Sequence, residues 1–318
     1  MNGHSAHAPA TAGLSAAETR GLWLGLLGVL IFSLTLPMTR LAVGSVGAPQ
    51  LSGLFIAFGR AAVAGILSLF FLAFTRAPKP APGDWRLIFA TSAGAVFGFP
   101  IFTSIAMRHV EAVHASVMLG VLPLATAVVG AWAHRQRPSA GFWLCAALGS
   151  ALVVGFALLK SGAAPGGWGP SIHWADGLLL AAMGWAALSY VAGAKLSGRL
   201  RADHVICWAL VVALPLSLPA ALLTWPQGAI RPLAWWGFGY VAVFSMWIGF
   251  FAWYRGLALG GTVRVSQVQL VQPFLSMLLA VPLLGETLDA LTLAFGLAVI
   301  ATVFLGKKMP VQALRTVP

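Results

Sequence analysis

Apolar residues run along this chain in blocks of about twenty, interrupted by single charges, prolines and short glycine-rich stretches. A block of that length crosses a hydrocarbon core as one helix. Reading between the breaks predicts helices over 21–43, 52–74, 85–107, 112–133, 140–159, 175–195, 204–225, 233–255, 262–284 and 290–306. Only one break is long enough to be a linker, and it divides ten spans into five and five. The expected organisation is an N-terminal tail over 1–20, a first five-helix repeat over 21–160, a linker over 161–174, a second five-helix repeat over 175–306 and a C-terminal tail over 307–318.

The two halves match each other. Shifting the chain by 150 residues lays Val113 on Val263, Ser116 on Ser266, Val121 on Val271 and Pro123 on Pro273. The same shift lays Trp85–Met107 on Trp235–Leu257 without a gap. Five spans is an odd number, so a second copy in the same chain inserts with opposite topology, as in carriers that share one midplane site between two inverted halves. The expected fold class is an all-α integral membrane protein, ten transmembrane helices forming two inverted five-helix repeats around a central cavity.

Composition agrees. Of 318 residues 59% are apolar and 8% are charged, against about a quarter charged in an ordinary soluble domain. The first apolar block has no basic segment before it and no cleavage site after it, so it reads as a span and not as a removable signal. The net charge of +12 comes from 19 Lys and Arg against 7 Asp and Glu. The basic residues stand singly between apolar blocks, so nucleic acid is not an expected partner. Counted by loop, fourteen fall on the side of the N-terminus, while Arg40, Arg108, Lys160 and Arg231 fall on the other and Arg60 lies inside the second span. That asymmetry predicts cytoplasmic termini. Cys145 and Cys207 sit within apolar blocks, which speaks against a disulfide framework or a metal cage. No cofactor is expected.

The run WYRGLALGGTVRVSQVQLVQPFLSMLLAVPLLGETL, Trp253–Leu288, resembles the second-repeat signature of the EamA family in the drug/metabolite transporter superfamily. A small polar stretch opens the ninth helix, a proline stands in it and a Gly-Glu pair follows it. The first repeat is similar around Ala106-Met107, Ser116 and Pro123, but at the position related to Glu286 it carries Gln136. The resemblance covers about residues 21–306. It implies two interleaved five-helix bundles in which helices one, three, four, six, eight and nine face the cavity. It further implies a bacterial-type inner membrane location and export of amino acids or related metabolites, aromatic ones included.

Polar side chains inside a bilayer are costly and tend to face a bundle interior or a wet cavity. In the ninth span Ser266, Gln269, Gln272 and Pro273 stand together, and carboxamides both donate and accept, which suits a zwitterion. Interhelical bonding is the plainer use of such groups. Further cavity candidates are Ser33 and Thr39 in the first span, Thr103 in the third, Ser116 in the fourth, Trp185, Ser189 and Tyr190 in the sixth, and Tyr240 and Trp247 in the eighth. Aromatic walls favour aromatic or large apolar cargo. Pro37, Pro123 and Pro273 each remove a backbone donor in mid-membrane and are expected to kink or gate their helices. Arg60 is expected to be structural, snorkelling or binding helix-end carbonyls, with attraction of a substrate carboxylate as the alternative. No metal site is expected, since His109 and His114 do not share a helical face. All seven carboxylates fall in loops or at span ends, which disfavours proton-coupled export of cations. If transport is proton-coupled, His114 is the titrating group placed for it.

The expected function is transport of small neutral or zwitterionic metabolites by alternating access, with a small-molecule substrate and membrane lipid as partners and a monomer sufficient. A membrane-embedded enzyme needs a nucleophile with a base, a metal cluster or paired carboxylates, and no GxSxG or HExxH occurs. A channel or scaffold would lack saturable counterflow. Small-residue spacings at Gly94 and Gly98 and at Ala147, Ala151 and Gly155 permit close helix contact, within the chain or between copies.

Overall fold

The computed structural model describes residues 15–133, 136–161, 173–260, 265, 267–308 and 311–313. Its helices are α1 (Ala16–Ser33), α2 (Thr35–Val43), α3 (Gly53–Phe74), α4 (Trp85–Thr91), α5 (Phe99–Ala106), α6 (Ala112–Leu119) and α7 (Leu122–Ala133) in the first half. The first half ends with α8 (Ala140–Ser161), and the second half has α9 (Trp174–Ser197), α10 (Ala202–Leu223), α11 (Pro232–Tyr240), α12 (Gly249–Gly260), α13 (Gln272–Leu284) and α14 (Ala290–Lys308). Among the described residues six stretches are long and apolar enough to cross a membrane: Ala16–Val43, Gly53–Phe74, Pro82–Ala106, Trp174–Ser197, Ala202–Leu223 and Pro232–Gly260. They mark an integral membrane protein. One departure from all-helical structure is a short antiparallel ladder between β1 (Gln136–Pro138) and β2 (Val311–Ala313). α8 and α14 run side by side, so the segments at their ends meet and pair their free backbone groups.

The distribution of side chains suits lipid. α3 turns Leu69, Phe70 and Phe74 outward while burying Arg60, Ala61, Ala64 and Ser68. α10 likewise exposes Leu216, Leu222 and Leu223 and buries His204 and Ser217. Inside, small and polar residues let backbones approach, as membrane helices require where lipid is as apolar as leucine.

Local chemistry sets where helices start and break. Ser15 and Glu18 form a capping box, which starts α1 five residues before the predicted 21. Pro37 cannot donate to the Ser33 carbonyl four residues earlier, and the first span breaks at Leu34. The Ser276 hydroxyl of α13 donates to that freed carbonyl at 2.8 Å. The predicted fourth span divides at Gly120–Val121 just before Pro123, and the ninth passes through a 3₁₀ turn, Gln267–Val271, just before Pro273. The predicted third and eighth spans each contain a π-helical turn, Ser92–Gly98 and Val241–Ile248. Such an inserted residue is frequent at functional sites.

The helices associate in pairs: α1 with α12, α2 with α11, α3 with α10, α5 and α7 with α9, α6 with α13, and α8 with α14. Glycines make the closest of these possible. A methyl group on Gly256 would lie 2.7 Å from the Gly25 backbone nitrogen, so α1 and α12 touch through bare backbone. One on Gly94 or Gly98 would run into Trp185 of α9. The Gly94 and Gly98 spacing therefore serves a contact within the chain. Ala147 and Ala151 are exposed on the outer side of α8. Buried apolar residues form two clusters, one containing Leu119, Leu122 and Ala186, the other Phe32, Ala95 and Phe250. Tyr190 borders both.

Candidate functional site

A narrow cavity of about 30 Å³ lies on the seam between the two clusters. Its wall takes Phe32 and Thr35 from the first stretch, Ala95 and Phe99 from the third and Leu119 and Leu122 from the helices around Pro123. Ala186, Ser189 and Tyr190 come from α9, Ser245 and Phe250 from the predicted eighth span and Gln272 from α13. Arg60 of α3 joins them. The wall is part aromatic and part polar.

The polar part is built around the cation. The Arg60 side chain is buried at 2% exposure. Its Nη2 donates to the Ser245 hydroxyl at 3.0 Å, and Ser245 shares a 2.8 Å hydrogen bond with Thr35. Its Nε and Nη1 have no hydrogen-bond partner among the described residues. Arg60 thus reaches neither the surface nor a helix-end carbonyl. Gln272 is buried with its Oε1 unpartnered. The Tyr190 hydroxyl reaches the Gln269 carboxamide behind the wall.

Of the predicted site residues, Ser189, Tyr190, Gln272 and Arg60 come together here. Gln269 lies buried just behind, in contact with Tyr190. Ser33, Thr39 and Ser116 turn back to bond the carbonyls four residues earlier, Val29, Thr35 and Ala112, as hydroxyls in membrane helices often do. Thr103 is buried away from the cavity wall. Trp185 is 37% exposed beside Gly98. The Tyr240 hydroxyl donates to the Ile31 carbonyl at 2.9 Å, and Trp247 sits against Phe71 and Phe251. Pro37, Pro123 and Pro273 stand within the first turn of α2, α7 and α13. Ser266 lies outside the described residues, as do residues 1–14 of the N-terminal tail, 162–172 of the linker and most of the C-terminal tail. Sequence reasoning missed Ser245 and the aromatic trio Phe32, Phe99 and Phe250 as lining residues. A hydroxyl in a strongly apolar run was the available signal for the first.

Two other polar joints lie apart from the cavity. At the loop end, Arg40 of α2 donates to the Met107 carbonyl that closes α5, at 2.6 Å, while Arg108 donates to the Leu51 carbonyl at 2.6 Å and the Val43 carbonyl at 3.3 Å. Each arginine caps the other's helix end, where a cation is favoured. Beside them both Glu286 oxygens accept from the first amides of α6, Ala112 at 2.8 Å and Val113 at 2.7 Å. Burial pushes the Glu286 carboxyl above its ordinary value and Glu111 adds to this, while the two amides and Arg40 oppose it. The second joint is His114 Nε2 against Asp176 Oδ1 at 2.7 Å, with Asp176 1% exposed. Asp176 stands at a span end as predicted, yet the fold buries it as the partner of His114.

Apolar helices enclosing a small polar chamber, with open backbone turns around it, define a class of multi-pass membrane protein built to pass or hold a solute. Within that class the chain belongs to the EamA-like transporter family, which it matches over residues 19–158 and again over 173–306. It is a membrane transporter of the drug/metabolite transporter superfamily. It is similar to the "Uncharacterized transporter YdeK" of Bacillus subtilis (strain 168), 43% identical over 294 residues, covering 92% of this chain and 98% of that protein. It also shares its fold with a solved structure described as "Crystal structure of protein", with a TM-score of 0.61 and 19% identity, over 91% of this chain and 96% of that one.

Proposed function

We propose that this transporter moves small zwitterionic or neutral metabolites, amino acids and aromatic ones among them, out of the cell by alternating access between two inverted five-helix halves. The inner membrane is its location, its termini are cytoplasmic and one chain suffices. The observation that carries the reading is that the cavity wall is built from matched positions. Ala95 and Ser245, and Leu122 and Gln272, stand 150 residues apart. Phe32 and Ala186, and Thr35 and Ser189, stand 154 apart, which is the offset between the starts of the two family matches. The helix pairs support it too: exchanging the halves turns the α1–α12 and α2–α11 contacts into the α5–α9 contact and returns α3–α10, α6–α13 and α8–α14 to themselves. The two π-helical turns also fall on each other under the 150-residue shift.

Two equivalent halves meeting at one chamber can open it to either side by the same motion in opposite senses. The helix breaks beside Pro37, Pro123 and Pro273 provide places for such motion, because the carbonyls those prolines release can exchange partners without breaking a regular ladder. Phe32, Phe99, Phe250 and Tyr190 offer flat apolar surface for a ring. The test is counterflow of labelled phenylalanine in liposomes containing the purified protein, with no pH gradient. Saturable counterflow is expected. Its absence for phenylalanine, tryptophan and a small polar amino acid, in protein shown to be folded, would remove amino acids as the substrate class.

A further inference from the structure

We infer that Arg60, oriented by Ser245, is the receptor for a carboxylate on the transported solute, so that the cargo of this chamber carries an anionic group. The inference rests on the transporter reading above and narrows its substrate class.

Arg60 comes from α3, outside the set of helices that the family resemblance implies for the cavity, and it projects into the chamber from the side. A charged side chain at such depth costs several kcal/mol unless it is compensated. The molecule has two ways of compensating arginines, and Arg60 uses neither. Arg40 and Arg108 bind helix-end carbonyls, and Arg199 pairs with Asp84 at 3.0 Å. None of the seven carboxylates lines the chamber. What Arg60 has is a single neutral acceptor, Ser245, on Nη2. That bond anchors one corner of the guanidinium and leaves Nε and Nη1 without a partner among the described residues. A planar, permanently charged fork with unused donors matches the two oxygens of a carboxylate.

The rest of the chamber fits a solute with more than an acid group. The unpartnered Oε1 of Gln272 accepts from an ammonium, and Phe32, Phe99 and Phe250 contact an apolar side chain. An inorganic anion would use the same fork, but it would leave the carboxamide and the aromatic wall without a role. The substrate carboxylate is therefore the occupant we argue for.

The experiment is thermal melting of the purified full-length protein in detergent, followed by its 13 tryptophans, at constant sodium chloride. Benzoate, phenylacetate, phenylalanine and the carboxylate-free phenethylamine are titrated against wild type, Arg60→Gln, Arg60→Lys and Ser245→Ala. Saturable stabilisation by benzoate and phenylacetate, and none by phenethylamine, is the expected wild-type result. Arg60→Gln should abolish it, Arg60→Lys should weaken it about tenfold through loss of the fork, and Ser245→Ala should weaken it about threefold. A response that phenethylamine shares, a carboxylate response undiminished in Arg60→Gln, or no carboxylate response at all would overturn the receptor. So would an Arg60-dependent shift produced by chloride alone that carboxylates do not exceed. If Arg60→Gln does not fold, undiminished affinity in both Arg60→Lys and Ser245→Ala overturns it equally. Benzoate binding without phenylalanine binding retires the amino-acid reading and keeps the receptor. Phenylalanine binding that survives Arg60→Gln does the reverse.

Discussion

Arg60 and the pair Arg40 and Arg108 are the same residue type in two settings. At the loop end each guanidinium finds carbonyls left over at a helix C-terminus, and the two helices α2 and α5 cap one another. In the chamber Arg60 finds one hydroxyl. The first arrangement directs its Nη donors to helix-end carbonyls, although Arg108 Nε has no partner among the described residues, and serves as a joint. The second leaves donors directed into a space lined by aromatic rings, and serves as a binding surface. The joint arginines are partly buried and give donors to backbone carbonyls, whereas Arg60 is fully buried with one hydroxyl for a partner, so depth together with spare donors separates site from structure.

That contrast can be broken by substitution, because chamber groups should alter transport with little change in stability and joint groups the reverse. The largest expected effect is at Gln272: Gln272→Leu keeps the volume and removes the unpartnered acceptor, and counterflow should fall at least about tenfold while insertion and melting temperature hold. Arg108→Met should do the opposite. It strips donors from the Leu51 and Val43 carbonyls, at a cost of roughly 1–3 kcal/mol read as a lower melting temperature, with the counterflow KM within about twofold of wild type. The smallest effect is expected at Ser276→Ala, which leaves the carbonyl freed by Pro37 without its donor. A loss of about 1 kcal/mol in stability and a small change in counterflow rate, both measured on the same preparation, would place that carbonyl among the joints.

Much of the bundle was legible from residue order alone. Helix existence followed from block length, and the kinked spans followed from Pro37, Pro123 and Pro273, whose missing amides act locally. Gln272, Ser189 and Tyr190 were legible because polar groups are rare in apolar helices. The π-helical turns were not, since Ser92–Gly98 and Val241–Ile248 carry no residue that an ordinary helix forbids. Arg60 was visible as a charge, but its surroundings depend on Ser245, 185 residues away. The partnership of His114 with Asp176 is equally a product of packing, as is the seating of Trp185 against Gly98. Sequence distance hides such contacts because tertiary structure alone decides them.

Alternating access at this chamber is the central claim, and side-specific labelling of one buried position tests it most directly. With Cys145 and Cys207, the two native cysteines, replaced by alanine, Ser189→Cys puts a single thiol in the wall at a position that is 0% exposed in this structure. Reconstituted in liposomes and treated with a membrane-impermeant methanethiosulfonate, that thiol should react from either side of the membrane, and more slowly when phenylalanine is present. Reaction from one side only, however long the exposure, would contradict the account.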